Sequence, residues 1–312
     1  MKLNYEKVFN TLVEETKKYI TKNDLKAMVL GISGGIDSTV VAAICHEVSK
    51  QTGIPLIGRS LPIKNKDDEF DVSKLVGEAF CSKFRVKNLR YSYKAALIDC
   101  LALTDKEVEQ LSEWSLSELE EERGHRKIAN GNLQARCRMQ HLYDVASQFG
   151  GLVMSTDNQT EYQLGFWTIH GDVGDFDPIE DLWKTEVYGL ASYISTYYRT
   201  LSTEDDEYLK KAIAIQNSIA LTPTDGLGIS NSDLDQIGAE SYEEVDFILQ
   251  DFLAYNDLFP ENSKKINVGN YLVENAMYHV NSNVINQVLQ RHIASEFKRK
   301  KAPIYIERKK YC

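Results

Sequence analysis

Residues 29–44, VLGISGGIDSTVVAAI, run an apolar segment into two glycines, an aspartate and a serine, then into a second apolar run. Gly34 and Gly35 permit positive φ and close backbone approach, and Ser33, Ser38 and the amides of a helix opening near Asp37 can donate to phosphate oxygens. A tight turn alone accounts for two glycines; a turn between a β-run and an apolar helix, with serine on both sides, is built for an anion. Asp37 is out of place beside an anion unless it holds a cation, and Mg2+ bridging it to phosphate is the natural role. The segment contains neither G-x-x-x-x-G-K-[ST] nor G-x-G-x-x-G, so neither a Walker NTPase nor a Rossmann dinucleotide site fits.

The elements around this loop alternate. Residues 27–33 and 54–61 are short apolar β-runs separated by a helical stretch over Ser38–Gln51, and residues 67–84, 85–89 and 91–102 read as helix, strand and helix. Val8, Leu12, Val13 and Ile20 give an amphipathic N-terminal helix. Residues 130–150 read as a long helix with Leu133, Met139, Leu142, Val145 and Phe149 inward, ending at Gly150 and Gly151; 152–156 is a further buried strand. The Gly- and Asp-rich residues 157–183 then form a functional loop at that strand's C-terminal end, and the remainder is mostly helical with a turn at LTPTDGLG. The expected fold is α/β, a doubly wound, mostly parallel sheet with helices on both faces. We expect one domain over residues 1–312, with an acidic helical insertion at about 103–124, where Ser115 and Glu118 have capping-box spacing, and a C-terminal helical and basic tail at about 240–312.

Composition excludes several classes. A formal charge of −10 opposes a nucleic-acid partner, and no run approaches the ~20 apolar residues that span a bilayer. With no secretory h-region at the N-terminus, a cytoplasmic protein is expected. Cys45, Cys81, Cys100, Cys137 and Cys312 form no C-x-x-C pair, so neither zinc nor disulfides are expected, and the six histidines suggest no triad.

SGGIDS resembles the pyrophosphate-binding S-G-G-x-D-S loop of the N-type ATP pyrophosphatases, whose adenine nucleotide alpha hydrolase-like fold is a Rossmann-like three-layer arrangement. Those enzymes cleave ATP between its α and β phosphates, adenylate an oxygen of a substrate and let a nitrogen or sulfur nucleophile displace AMP. The thiolating branch uses cysteines and a basic surface that this chain lacks, and the glutamine-using branches carry an amidotransferase domain for which there is no room before residue 29. In separated blocks from about 29 to 303 the chain is similar to the ammonia-dependent NAD+ synthetases. That resemblance implies ATP contacts from Gly31, Ile32, Ser33, Gly34, Gly35, Ile36, Asp37 and Ser38. GNLQARCRMQHLYDVA brings Asn132 and Arg136 to deamido-NAD+, and STDNQTE brings Thr156 to ATP and Glu161, with Asp37, to Mg2+. In GFWTIHGDVGDFDPIEDLWKTEV, Asp175 meets the dinucleotide and Lys184 the ATP phosphates; TPTDGLG gives Thr224 to ATP, and FKRKKAP gives Lys298 to the dinucleotide. Asp37 and Lys184 are the expected catalytic pair. The family works as a homodimer on deamido-NAD+, ATP and ammonia; a separate glutaminase is not indicated.

Three departures fall on the dinucleotide half: Ile169 where the family often has Lys, Phe297 where it often has His, and a 171–175 loop one residue shorter. Lost charged hydrogen bonds cost about 1.5–3 kcal/mol each. They favour a rival reading, an amide-forming or tRNA-modifying relative with another acceptor. A non-catalytic nucleotide-binding relative is opposed by the joint presence of Asp37, Glu161 and Lys184. The acidic insertion offers a lid or a dimer contact.

Overall fold

A computed structural model describes residues 3–64, 67–101, 103–124, 126–202, 205–223, 232–258 and 281–299. Its sheet is four-stranded and parallel, in the order β3-β2-β1-β4: β1 (Met28–Gly31), β2 (Leu56–Ser60), β3 (Lys83–Val86) and β4 (Leu152–Val153). Met28 pairs in register with Leu56 on one side and Leu152 on the other. Successive side chains alternate between faces, so Met28, Leu30, Leu56 and Leu152 enter one core while Val29, Ile57 and Val153 enter another. Burial on both faces is why these strands read as continuous apolar runs.

The first core is covered by α1 (Tyr5–Lys22), α2 (Ile36–Thr52), α3 (Asp67–Phe80), α9 (Lys184–Leu201) and α10 (Asp206–Ala220). The second is covered by α4 (Arg90–Asp99), α5 (Asp105–Leu111), α6 (Leu116–Glu122) and α7 (Lys127–Phe149). A third cluster joins α8 (Gln159–Leu164), α11 (Asp233–Ile237), α12 (Tyr242–Leu258) and α13 (Ser282–Ala294), followed by the single turn α14 (Glu296–Arg299). The connection after β1 leads to β2 and the chain later returns to β4 on the opposite side, so the strand order reverses between β1 and β4. Ligands of open α/β sheets bind in the crevice at such a switch point. The loops that flank it are 32–35 and 154–158.

Four local expectations are corrected. The third strand is Lys83–Val86 rather than 85–89: α3 stops at Phe80, and Val86 lies opposite Ser60, the last residue of β2. Gly77 lets this chain reversal close, since a Cβ there would fall 2.1 Å from the Phe84 ring. Phe149 does not point inward; it is 36% exposed at the end of α7, with the Lys83 ammonium 5.0 Å from its ring centroid. The strand expected over 152–156 shortens to Leu152–Val153, continued only by a bridge from Met154 to Phe176. The 157–183 segment is not all loop, because Asn158 caps α8 through the amide of Glu161. The acidic insertion is α5 and α6, each opened by a capping box, and it buries Leu111, Leu116 and Leu119 in the second core. The Tyr93 hydroxyl donates to Glu120 at 2.6 Å, and Lys64 pairs with the same carboxylate at 2.5 Å.

Candidate active site

β1 delivers Gly31 to the switch point and α2 begins five residues later, with Gly34 at φ 91° and Gly35 as an extended N-cap. No side chain caps α2, so its first amides are not taken by an N-cap oxygen and its positive dipole end faces the cleft. Ser33 and Ser38 join their hydroxyls at 3.0 Å, Ser38 donates to the Gly35 carbonyl at 3.0 Å, and the Gly35 amide donates to Ser33 at 3.1 Å. The turn therefore holds its shape through its own serines. Thr39 anchors it behind by bonding the Gly35 carbonyl at 2.9 Å and Ser218 of α10 at 2.7 Å.

Asp37, in the first turn of α2, meets residues from two distant segments. Its Oδ1 accepts from Asn158 Nδ2 at 2.9 Å and its Oδ2 lies 2.6 Å from Lys184 Nζ, which also reaches Glu161 Oε1 at 3.1 Å. Lys184 is 2% exposed. Burial works against its charge, but Asp37 and Glu161 outweigh that and hold its pKa well above the ordinary lysine value. The ammonium is thus a fixed cation between two carboxylates. Asp37 and Glu161 are two hard oxygen donors, the number that Mg2+ commonly takes from protein beside phosphates, and among the described residues no group of three or more His, Cys, Asp or Glu is placed to hold a metal by itself. Asp246 of α12 fixes the frame: it accepts from Thr160 Oγ1 at 2.5 Å and from the Thr185 amide at 2.9 Å, while the Lys184 amide donates to Thr160 at 2.8 Å.

Two cavities share this crevice. The larger, about 400 Å³, runs from the α2 N-terminus past Lys184 to Trp167 and Lys298; the second, about 270 Å³, lies between Gly31, Arg59, Leu61 and Met139. The expected ATP residues divide between them: Gly35, Ile36, Asp37, Ser38 and Lys184 line the first, Gly31 and Ile32 the second, and Ser33 and Thr156 both. Gly34 supplies the positive-φ turn, and Thr224 lies outside the described residues.

Of the residues expected at the acceptor, Asn132 and Lys298 line the larger cavity. Asn132 accepts from Thr168 at 2.8 Å, and Lys298 donates to the carbonyls of Gly165 (2.6 Å) and Trp167. Arg136 is exposed and donates to the Ile169 carbonyl at 3.0 Å. Asp175 is not brought to either cavity: its carboxylate accepts from Tyr143 at 2.8 Å and from the Val153 amide at 2.9 Å, stapling the loop to β4. Asp172 faces both cavities instead, its carboxyl pushed up by burial. Phe297 is 56% exposed. The sequence reading did not single out Asn158, Thr160, Asp172 or Asp246; only Asn158 carried a signal, the N-x-x-E capping spacing.

A backbone anion cradle at a switch point, faced by a buried lysine held between two carboxylates, is the kind of arrangement with which α/β proteins receive phosphate groups. The model of the NAD synthase family matches residues 8–302, and the chain belongs to that family. It is 34% identical over 246 residues to the NH(3)-dependent NAD(+) synthetase of Thermoplasma acidophilum, covering 77% of this chain and 83% of that protein. It is 28% identical over 211 residues to the NH(3)-dependent NAD(+) synthetase of Campylobacter jejuni, covering 67% of this chain and 73% of that one. In fold it resembles the NMN synthetase of Francisella tularensis with a TM-score of 0.69 over 98% of this chain and 100% of that one, at 23% identity.

Proposed function

We propose that this protein is an ammonia-dependent NAD+ synthetase, a carbon–nitrogen ligase that amidates deamido-NAD+ with ATP and ammonia to give NAD+, AMP and pyrophosphate. The carrying observation is Lys184, fixed between Asp37 and Glu161 beside the α2 amides, in a chain of the NAD synthase family. The nicotinate carboxylate attacks the α-phosphorus and pyrophosphate departs; ammonia then attacks the carbonyl of the mixed anhydride and AMP leaves. No side chain becomes covalently attached. The loop amides and Lys184 receive the charge of the leaving pyrophosphate, and the second cavity, shared through Ser33 and Thr156, accommodates the nucleoside of ATP. Asp37 and Glu161 would hold a Mg2+ ion, which would add charge neutralisation at the phosphates. Asn132, Lys298 and Trp167 offer hydrogen bonds, a cation and an aromatic face to the acceptor at the far end. A homodimer and a cytoplasmic location belong to the same reading; among the described residues no helix is long and apolar enough to cross a membrane.

A second reading, the same chemistry on a shorter nicotinate mononucleotide acceptor, is favoured by Asp175, whose carboxylate is spent on β4 rather than on the cleft. One assay separates the two. Purified protein is incubated with ATP, Mg2+, ammonium or glutamine, and either deamido-NAD+ or nicotinate mononucleotide, and products are followed by chromatography. NAD+ with stoichiometric pyrophosphate is expected from deamido-NAD+ and ammonium, and Asp37→Ala abolishes both. Absence of pyrophosphate under every condition refutes adenylation, whereas amidation of the mononucleotide alone reassigns the acceptor.

A further inference from the structure

We infer that Asn158 is a positioning residue that orients Asp37 and Glu161 for a divalent cation; this rests on the Mg2+ reading above. Asn158 is completely buried and touches both carboxylates. Its Nδ2 donates to Asp37 Oδ1 at 2.9 Å, across 121 positions of sequence. Its Oδ1 accepts from the Glu161 amide at 3.1 Å, and its own amide donates to Glu161 Oε2 at 3.2 Å. Lys184 Nζ takes the other oxygen of each, Asp37 Oδ2 and Glu161 Oε1. One oxygen of each carboxylate is therefore committed to Asn158 and the other to Lys184, which together fix the orientation in which the pair would meet a cation. Helix capping requires only the Oδ1 bond, which Ser or Asp would make as well. The Nδ2 arm is surplus to capping; its effect is to stop the Asp37 carboxylate from rotating, as outer-shell partners of metal ligands do.

Asn158→Ser separates the two roles, because it creates an S-x-x-E capping box but removes the amide donor. Mn2+ is titrated into the full chain saturated with α,β-methylene-ATP and followed by EPR, alongside metal-free thermal unfolding and steady-state kinetics. Expected is an increase of about tenfold or more in Mn2+ half-saturation and in the Mg2+ concentration for half-maximal rate, with KM for the acceptor unchanged. The unfolding midpoint of Asn158→Ser stays at the wild-type value, while Asn158→Ala, lacking cap and donor, loses metal affinity equally and also melts lower. If Asn158→Ser binds Mn2+ like the wild type while Asp37→Ala does not, the positioning role is overturned and the metal site stands. If the wild type binds no Mn2+ and Asp37→Ala changes nothing, the metal reading fails and the positioning role with it.

Discussion

At the scale of single residues, Lys184 stands between two charges whose own burial is costly. Side-chain exposure is 3% for Lys184, 15% for Asp37 and 23% for Glu161. Removing the cation leaves two carboxylates facing each other in a half-dry crevice, a change that costs about 3 kcal/mol when a buried pair is broken. Lys184→Met should therefore lower the metal-free thermal midpoint, and millimolar Mg2+ should restore part of the loss by replacing the ammonium. Turnover should fall about 100- to 1,000-fold, the usual effect of deleting one stabiliser of transition-state charge. An unchanged midpoint, or a midpoint indifferent to Mg2+, would show that the lysine does not balance the pair. Asp37 was legible in the sequence from the composition of its loop and from family resemblance, and Lys184 from the resemblance. Asn158 was not, because an N-x-x-E capping signal says nothing of a second bond to a residue 121 positions away.

At the scale of elements, α8 and the first turn of α9 carry Glu161 and Lys184, and both are fastened by the C-terminal helices. Asp246→Asn weakens the acceptor shared by Thr160 Oγ1 and the Thr185 amide; a loss of about 1–3 kcal/mol in urea unfolding is expected, with a lower kcat because the Lys184 backbone is released. His292 on α13 fastens α8 from the other side, its Nδ1–H donating to the Gln163 carbonyl at 3.0 Å. Burial, then the nearby Arg299 guanidinium, lowers its pKa from 6.5 to about 4. The unfolded imidazole binds a proton below about 6.5 and the folded one only near 4, so this contribution to stability is complete above pH 6.5 and is lost as pH falls toward 4. At 1.4 kcal/mol per pH unit between 6.5 and 4, the loss amounts to about 3.5 kcal/mol. His292→Gln keeps a donor but cannot titrate; the stability gap between it and the wild type should narrow, or reverse, between pH 7 and pH 4.5. A gap independent of pH would exclude a titrating role.

At the scale of the molecule, the acidic insertion is not an appendage. Leu119 is fully buried among Tyr93, Leu97 and the inner face of α7. Leu119→Ala should cost about 2–5 kcal/mol, and Trp114 fluorescence and far-UV circular dichroism should report one coincident unfolding transition. A separate early transition at Trp114 would make the insertion an independent lid.

The sequence by itself determined the alternation of apolar strands and helices, the helix starts marked by capping residues, and the anion loop, because these depend on neighbours in the chain and on backbone geometry. It also placed Asp37, Glu161 and Lys184 in one site by resemblance. Only the tertiary structure decided which carboxylates face that site. Asp175 and Asp172 are near neighbours in one irregular loop, and only packing against β4 turns one onto the Val153 amide and leaves the other at the cavities. Asp246 acts on Thr160 and Thr185, and Asn158 on Asp37, across separations that folding alone closes to hydrogen-bond reach, so no spacing in the chain encodes those bonds.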